Sequence, residues 1–540
     1  VTTTIDSPTR QQRAVAKSAD ADRRSRFWRT VWRIHFYAGM LVIPFLVVLA
    51  VTGTMILYEE PYNDRADREL RFVDPAGRRA EDRLALDAQV DEAREAFPDL
   101  EVGGVTPPSS LRRSTMVAFA LGDEGAREVY VDPFTGDVLG SKTYHGDLPG
   151  LARRIHGNLL FGWTVPMPTL AGLTGDDPLT TRVDVGDLMV EMMASWGIVL
   201  VISGLYLWWP RKPGAGKALL RPRLSKRGRA RWRDLHAVPS AVLSVAVVFL
   251  VVTGLPWSGF WGGNWDYLTE RLGSGQLASA APVSETVRTG DLDRFGNPVA
   301  WAAEGEPVPA SASRAGGDDG SHEQHRGHEA GHRDAGGATS ASAAARPDGR
   351  GDRGGVRGTG PSPLSLDLIA EAADAEGMVP GYSIALPVDG REPGSYTVTN
   401  PFRSTATERT LYFDQFTADT LGERSFADYG VGAKATAWGI DVHMGTQYGM
   451  ANRVVMTAVC AGVVWSAISG LVMWWKRRPH GKAGFPRRPP DARLERGLVV
   501  IAVVLGIVFP LVGVSMVAVV LLDRYVIRRV PALRRTFGMR

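Results

Sequence analysis

Four histidines carry the chemical possibilities of this chain. His35 and His236 each open a long apolar run, and in both runs a Thr-Gly pair follows at the same step, ending on Gly53 and Gly254. His156 and His443 each precede another apolar run, with Gly162 and Gly449 following them at one spacing. Read as membrane helices, these runs set the first pair at one depth and the second pair at another. Two imidazoles at one level on facing helices are what a bis-histidine b-type haem requires, since each axial position of the iron takes a neutral nitrogen. Two such centres would divide a hydrocarbon core of roughly 30 Å into shorter electron-transfer steps. Interfacial histidines bonded to headgroups or backbone are the plain alternative, which does not account for the paired placement.

Small-residue pairs fall at the same depths. Thr52-Gly53 and Thr253-Gly254 go with His156 and His443, and Ser203-Gly204 and Ser469-Gly470 go with His35 and His236. At Gly53, Gly254, Gly204 and Gly470 a missing side chain would let a porphyrin plane lie against the helix backbone. Ordinary small-residue helix contact is the competing reading. The lone cysteine, Cys460, excludes a disulfide framework, a Cys-ligated zinc or iron–sulfur site and CxxCH-attached haem.

The elements that must position these residues are legible in the hydropathy. The 540 residues are 44% apolar, and the mean hydropathy is near zero because two unlike kinds of segment are averaged. Candidate spans cover residues 31–57, 188–209, 235–257, 453–475 and 498–522, each long enough to cross the core at about 1.5 Å per residue. Arg and Lys crowd residues 1–30, 210–234 and 476–497, which the positive-inside bias assigns to the cytoplasm. WWPRK at Trp208 to Lys212 and WWKRR at Trp474 to Arg478 fit as inner-interface anchors. The expectation is a multi-pass protein of the cell membrane with a cytoplasmic N-terminus and the bilayer as a partner. A net charge of +4 gives no reason to expect nucleic acid. The last span leaves the basic tail, residues 523–540, outside against the bias, and Pro510 interrupts it, so a kinked or re-entrant helix is the alternative.

The chain also repeats itself. WRIHFYAGM with AVTGTM corresponds to WRDLHAVPS with VVTGLPW, and ISGLYLWWPR to ISGLVMWWKR. RIHGNLLFG corresponds to DVHMGTQYG, and VYVDPFTGDVLG to LYFDQFTADTLG. Four correspondences in one order predict two copies of a unit: a span outward, an outer domain, a histidine segment and a span inward. The outer domains are expected at residues 59–150 and 364–440, and the histidine segments at 151–187 and 441–452. Each outer domain has a helix-like acidic stretch (84–97, 364–376) followed by β-type segments, with D-P-F-T-G-D reading as a turn between strands. An outer segment at 258–301 leads to a His-rich insert at 302–363, whose composition cannot support a packed core.

Together these features resemble the PepSY-associated transmembrane-helix family, the iron-regulated membrane proteins that include siderophore ferric reductases. The resemblance rests on the histidine and Thr-Gly spans, on RIHGNLL with its downstream GLYLWWPR, and on YVDPFTGDVL of the PepSY pattern. Ala418 departs from it, standing where the turn glycine is usual, and so does the insert. The fold implied is an α-helical integral membrane protein with about five spans, internally duplicated, plus two small extracytoplasmic α+β PepSY-like domains. The function implied is a membrane reductase with two b haems on His35, His236, His156 and His443, passing electrons outward to ferric iron, siderophore-chelated or otherwise. No nucleotide or flavin fingerprint is present, so a quinol or a cytosolic reductase must be the donor.

Two other readings compete. One makes the PepSY domains a restraint on an extracellular peptidase, without redox activity; the other makes copper the acceptor. His322, His325, His328 and His332 are spaced for a first-row transition metal or belong to a solvated linker. Glu191, at membrane depth near the outer mouth of its span, is a proton or metal-site candidate, or a headgroup contact.

Overall fold

The computed structural model describes residues 10–122, 125–144, 146–175, 178–210, 221–225, 227–274, 283–295, 299, 303–311, 364–387, 394–400, 404–478, 484–486, 496–531 and 533. The proposed metal ligands His322, His325, His328 and His332 lie outside the described residues.

Helix α1 (Arg10–Leu57) leads through two short helices, α2 (Glu59–Ala66) and α3 (Arg68–Arg71), into a polar domain. There α4 (Leu86–Ala96) is followed by four strands, β1 (Val102–Thr106), β2 (Thr115–Ala120), β3 (Ala126–Val131) and β4 (Val138–Thr143). Next come α5 (Leu148–Asn158), a small hairpin of β5 (Thr164–Pro168) and β6 (Thr180–Asp184) around α6 (Leu170–Thr174), and the long α7 (Val185–Trp208). The order then recurs. A second long helix pair begins with α8 (Arg229–Gly254), followed by α9 (Trp261–Arg271) and the strands β7 (Val283–Arg288) and β8 (Pro307–Pro309). A second polar half has α10 (Leu366–Ala375), β9 (Ser383–Ala385), β10 (Ser395–Thr399), β11 (Arg409–Asp414) and β12 (Thr420–Ser425), then α11 (Val431–Met444) and α12 (Gly449–Arg477). The chain closes with α13 (Arg496–Val508) and α14 (Pro510–Leu522).

Among the described residues, five helices are long and apolar enough to cross a membrane: Ser25–Leu57, Val185–Trp208, Arg229–Trp257, Gly449–Arg477 and Pro510–Ile527. Four of them close a ring in which α1 and α8 each pack against both α7 and α12. Their buried side chains include Ala38, Val42, Met193, Trp196, Val199 and Val251. The other long side chains point outward and stay apolar, Val242, Val245, Val454 and Val455 among them, as a lipid-facing surface requires.

The stretch expected as one span at 498–522 is two helices. Pro510 cannot donate to Gly506, Phe509 leaves helical geometry (φ −125, ψ 83), and the chain doubles back. Gly506 and Gly513 touch there: a Cβ on either would lie 3.1 or 2.9 Å from the other's Cα. The turn sits beside the sheet-side end of α8, where Trp261 Nε1 donates to the Val508 carbonyl (3.0 Å). Helix α14 then runs back along α7, with Trp196 Nε1 donating to Ser515 Oγ (2.9 Å). The residues after α14 are thus directed to the same end of the bundle from which α13 set out.

The two polar halves form one sheet of order β12-β11-β10-β9-β1-β2-β3-β4. Antiparallel pairing of β1 with β9 (Gly104 opposite Ala385, Val105 opposite Ile384) joins them. Helices α4 and α10 share a core with this sheet, built from Val90, Phe119, Val129, Ile369, Val398 and Phe413. Their N-termini exchange caps. The Leu86 amide donates to the Asp367 carboxylate (3.0 Å), and the Leu366 amide donates to Asp87 (3.0 Å). Each carboxylate satisfies an orphan amide of the other helix. The β3–β4 turn places Gly136 at φ +81, and the β11–β12 turn places Ala418 at φ +59. The alanine accepts a left-handed geometry that costs about 1 kcal/mol, because Asp414 holds the turn through the Phe416 and Thr417 amides.

Candidate functional site

The four histidines reach the bundle interior by two routes. His35 lies within α1 and His236 within α8, whereas His156 and His443 are carried by the short helices α5 and α11 that follow the two edge strands of the sheet. His35 and Gly53 are eighteen residues apart on α1, as are His236 and Gly254 on α8. Eighteen residues make five helical turns, so each pair shares one stripe about 27 Å apart along the axis. Gly186 and Gly204 on α7, and Asn452 and Gly470 on α12, repeat the interval. All four bundle helices therefore present matched positions at two levels.

At each level a histidine of one helix packs on a glycine of its neighbour. A Cβ at Gly204 would lie 3.1 Å from His35 Cε1, one at Gly53 3.2 Å from His156 Cε1, one at Gly254 3.3 Å from His443 Cε1, and one at Gly470 3.6 Å from His236 Cε1. The four glycines make room for imidazole rings. The ring edge of each histidine lies where the glycine lacks a side chain.

The hydroxyl before each glycine fixes the proton on the imidazole. Nδ1 lies 3.0 Å from Oγ1 of Thr52 at His156, 3.0 Å from Oγ1 of Thr253 at His443 and 2.9 Å from Oγ of Ser203 at His35. Each hydroxyl already donates its single proton to the carbonyl four residues back: Thr52 to Val48 (2.8 Å), Thr253 to Phe249 (2.8 Å) and Ser203 to Val199 (2.6 Å). A hydroxyl whose proton is committed can only accept, so Nδ1–H is the donor. His236 reaches the same state through the Ser466 carbonyl (3.0 Å), with Ser469 Oγ at 3.2 Å. All four rings thus carry their proton on Nδ1 and a lone pair on Nε2. Among the described residues no hydrogen bond engages any of these Nε2 atoms.

Burial holds His156 and His443 far below the ordinary imidazole range, at about 4, and in His443 the nearby His156 adds to it. Both are neutral at pH 7. The His35 and His236 ring centres are 6.4 Å apart with planes at 70°. A metal bonded to both Nε2 atoms at about 2 Å each, with about 1.1 Å more from nitrogen to ring centre on each side, needs roughly 6 Å between ring centres. The donor set fits a metal with two axial imidazoles: neutral rings, a fixed tautomer, second-shell oxygens on Nδ1 and, in the His35–His236 pair, the required separation.

Glu191 does not join this set. Its carboxylate is buried (3% exposed) and accepts the Trp261 amide (3.0 Å), while Asp187, one turn away, accepts the Gly259 amide. The two side chains of α7 thereby hold the turn between α8 and α9. Among the described residues no group of three or more His, Cys, Asp or Glu side chains is arranged to hold a metal ion. The hydroxyls were visible in the sequence as Thr or Ser before all four glycines. Their role as acceptors was missed because it depends on which carbonyl takes the hydroxyl proton.

A membrane protein with paired histidines inside a four-helix ring and a sheet domain at one end is the class that this geometry defines. The sequence pattern described as the PepSY-associated TM region matches residues 32–477, and the chain belongs to that family. No curated protein matches the chain.

Proposed function

We propose that this protein carries electrons across the cell membrane through two b-type haems and reduces chelated ferric iron on the outer side. The observation that carries the reading is the fourfold arrangement of histidine, hydroxyl and glycine, which leaves four neutral Nε2 lone pairs at two levels. His35 and His236 would hold the inner haem, and His156 and His443 the outer one. In this reading the two halves are copies of one unit, the sheet is a pair of PepSY domains facing outward, and the basic loops face the cytoplasm.

Bound haem supplies a reversible one-electron iron couple. The chain's own contribution is positional. Thr52, Thr253, Ser203 and the Ser466 carbonyl hold each Nδ1 proton and thereby orient the rings, and the apolar interior excludes water between the two levels. The sheet end brings the acceptor beside the outer pair. Siderophore oxygens are hard ligands that favour the higher charge, so reduction to Fe(II) loosens the chelate. The donor is a quinol or a cytosolic reductase.

The test is a visible spectrum of purified protein after haem-replete expression, followed by reduction of external Fe(III) and Cu(II) chelates by proteoliposomes loaded with reductant. A Soret band and Fe(III) reduction are expected. A colourless protein ends the haem reading, and selective Cu(II) reduction replaces iron as the substrate.

Thr52→Val should weaken haem retention at the outer site about 10- to 100-fold, as loss of a second-shell partner does. Haem transfer to apomyoglobin measures this, and Thr52→Ser, which keeps the acceptor, should behave like wild type.

A further inference from the structure

Two turns beyond the His35–His236 level, the bundle carries two arginines that meet no carboxylate among the described residues. Arg229 is seven residues before His236 on α8, and Arg477 is seven residues after Gly470 on α12. Seven residues are nearly two turns, so each keeps to the stripe of its helix that carries His236 or Gly470, about 10 Å farther from the sheet, where Arg229 is exposed and Arg477 half-buried. The Arg477 guanidinium lies 4.1 Å from the centre of the Trp32 ring, and Trp32 is three residues before His35 on α1. This places the cation under the histidine pair, reaching from α12 across to α1. Because His236 packs against Gly470 and α8 packs along α12, the two arginines stand at one level on facing stripes.

Several other arginines are paired with carboxylates. Arg223 and Arg233 both bond Asp234 (2.7 and 2.9 Å), Arg153 pairs with Glu59, and Arg453 faces Glu60 at 3.6 Å. Among the described residues neither Arg229 nor Arg477 meets a carboxylate. Two like charges in each other's field raise the free energy unless an anion lies between them.

We propose that Arg229 and Arg477 form a seat for the two carboxylate arms of the porphyrin held by His35 and His236. The proposal rests on the haem reading. Ionised carboxylates are costly in hydrocarbon and must leave the bundle at the nearer aqueous boundary. For this pair of histidines that boundary is where the two arginines stand. Guanidinium suits the task because it stays charged and binds carboxylate through a planar fork. At the other level Glu59 and Glu60 already neutralise Arg153 and Arg453, so the two centres would sit in different fields.

An anionic lipid headgroup shares this anion chemistry, and the test separates the two sources. Wild type, Arg229→Gln, Arg477→Gln, the double variant and an Arg231→Gln control are compared in nanodiscs of phosphatidylcholine alone, then with phosphatidylglycerol added. Haem per protein and the two midpoint potentials are read spectroscopically, with His236→Ala identifying the inner centre. In neutral lipid the double variant should shift the inner centre at least tenfold toward the oxidised form at fixed potential. That is about 60 mV lower at about 59 mV per decade for one electron. The outer centre should stay in place and thereby report a folded protein, and Arg477→Lys should recover part of the shift. Selective loss of the inner haem in the double variant supports the seat equally. An inner potential and haem content matching wild type, or an effect seen only with anionic lipid, overturns it while the haem reading stands. A wild type without haem overturns both.

Discussion

On the two-haem reading proposed above, replacing His443 by alanine is expected to remove one centre and leave the other. The imidazole is held with Thr253 on Nδ1 and Gly254 against Cε1, contacts that alanine cannot replace. His156 would keep its own hydroxyl and glycine partners but would face an empty position across the site. Haem per protein should fall from about two to about one. Electron delivery to an external acceptor should drop by at least about 100-fold, since loss of a second-shell partner alone costs 10- to 100-fold. The inner centre should still be reduced by the internal donor, so chemical reduction from inside and acceptor reduction outside become separable. His236→Ala should give the opposite pattern, with an outer centre that retains haem and receives no electrons. If His443→Ala retains both haems and wild-type reduction, the ligand assignment is wrong.

The second large effect is expected at Gly186. A Cβ there would lie 1.7 Å from the Asn158 carbonyl oxygen, a backbone atom that cannot rotate away. Asn158 is the last residue of α5 and follows His156 by two positions. Gly186→Ala must push α5 away from α7, at an overpacking cost of about 3 kcal/mol. The thermal midpoint should fall by on the order of 5 °C. The same displacement should move His156 off Thr52 and Gly53, so the outer centre should lose haem while the inner one keeps it. Gly263→Ala is the control. Its Cβ would meet nothing within 4 Å, and on α9 alanine should be neutral or slightly stabilising. Equal thermal midpoints for Gly186→Ala and wild type would show that the close approach of α5 and α7 is not required.

The parts of this architecture that were legible in the sequence are those set by local pattern. The apolar runs give the helices of the ring, and the identical step from His35 to Gly53 and from His236 to Gly254 already contains the two levels, because it spans whole helical turns. The turn after β3 could be read from its Asp, Pro and Gly, and its counterpart from Asp414, even though Ala418 breaks the pattern. What could not be read depends on partners distant in the chain. The exchange of caps between Asp87 and Asp367 joins residues 280 positions apart. The occupation of Glu191 by the Trp261 amide depends on where α9 begins. The contact of the four glycines with imidazole edges could not be read either, because a gap in a helix surface does not say what lies against it. Pro510 signalled a break, but the sharp return follows from Gly506 and Gly513 meeting across it, a contact that sequence spacing alone does not specify.

The continuous sheet has a mechanical consequence. Its two outermost strands, β4 and β12, each lead directly into the helix that bears a sheet-side histidine, so the two ligand arms hang from opposite ends of one stiff crossbar. Eight strands at about 4.8 Å spacing hold those ends roughly 34 Å apart, and the arms then converge toward the bundle axis. A load applied to either half bends the whole bar, because slipping between the halves would break the β1–β9 ladder and the crossed caps together. Tension is therefore shared between His156 and His443, and anything gripping the sheet from outside would tug on both at once.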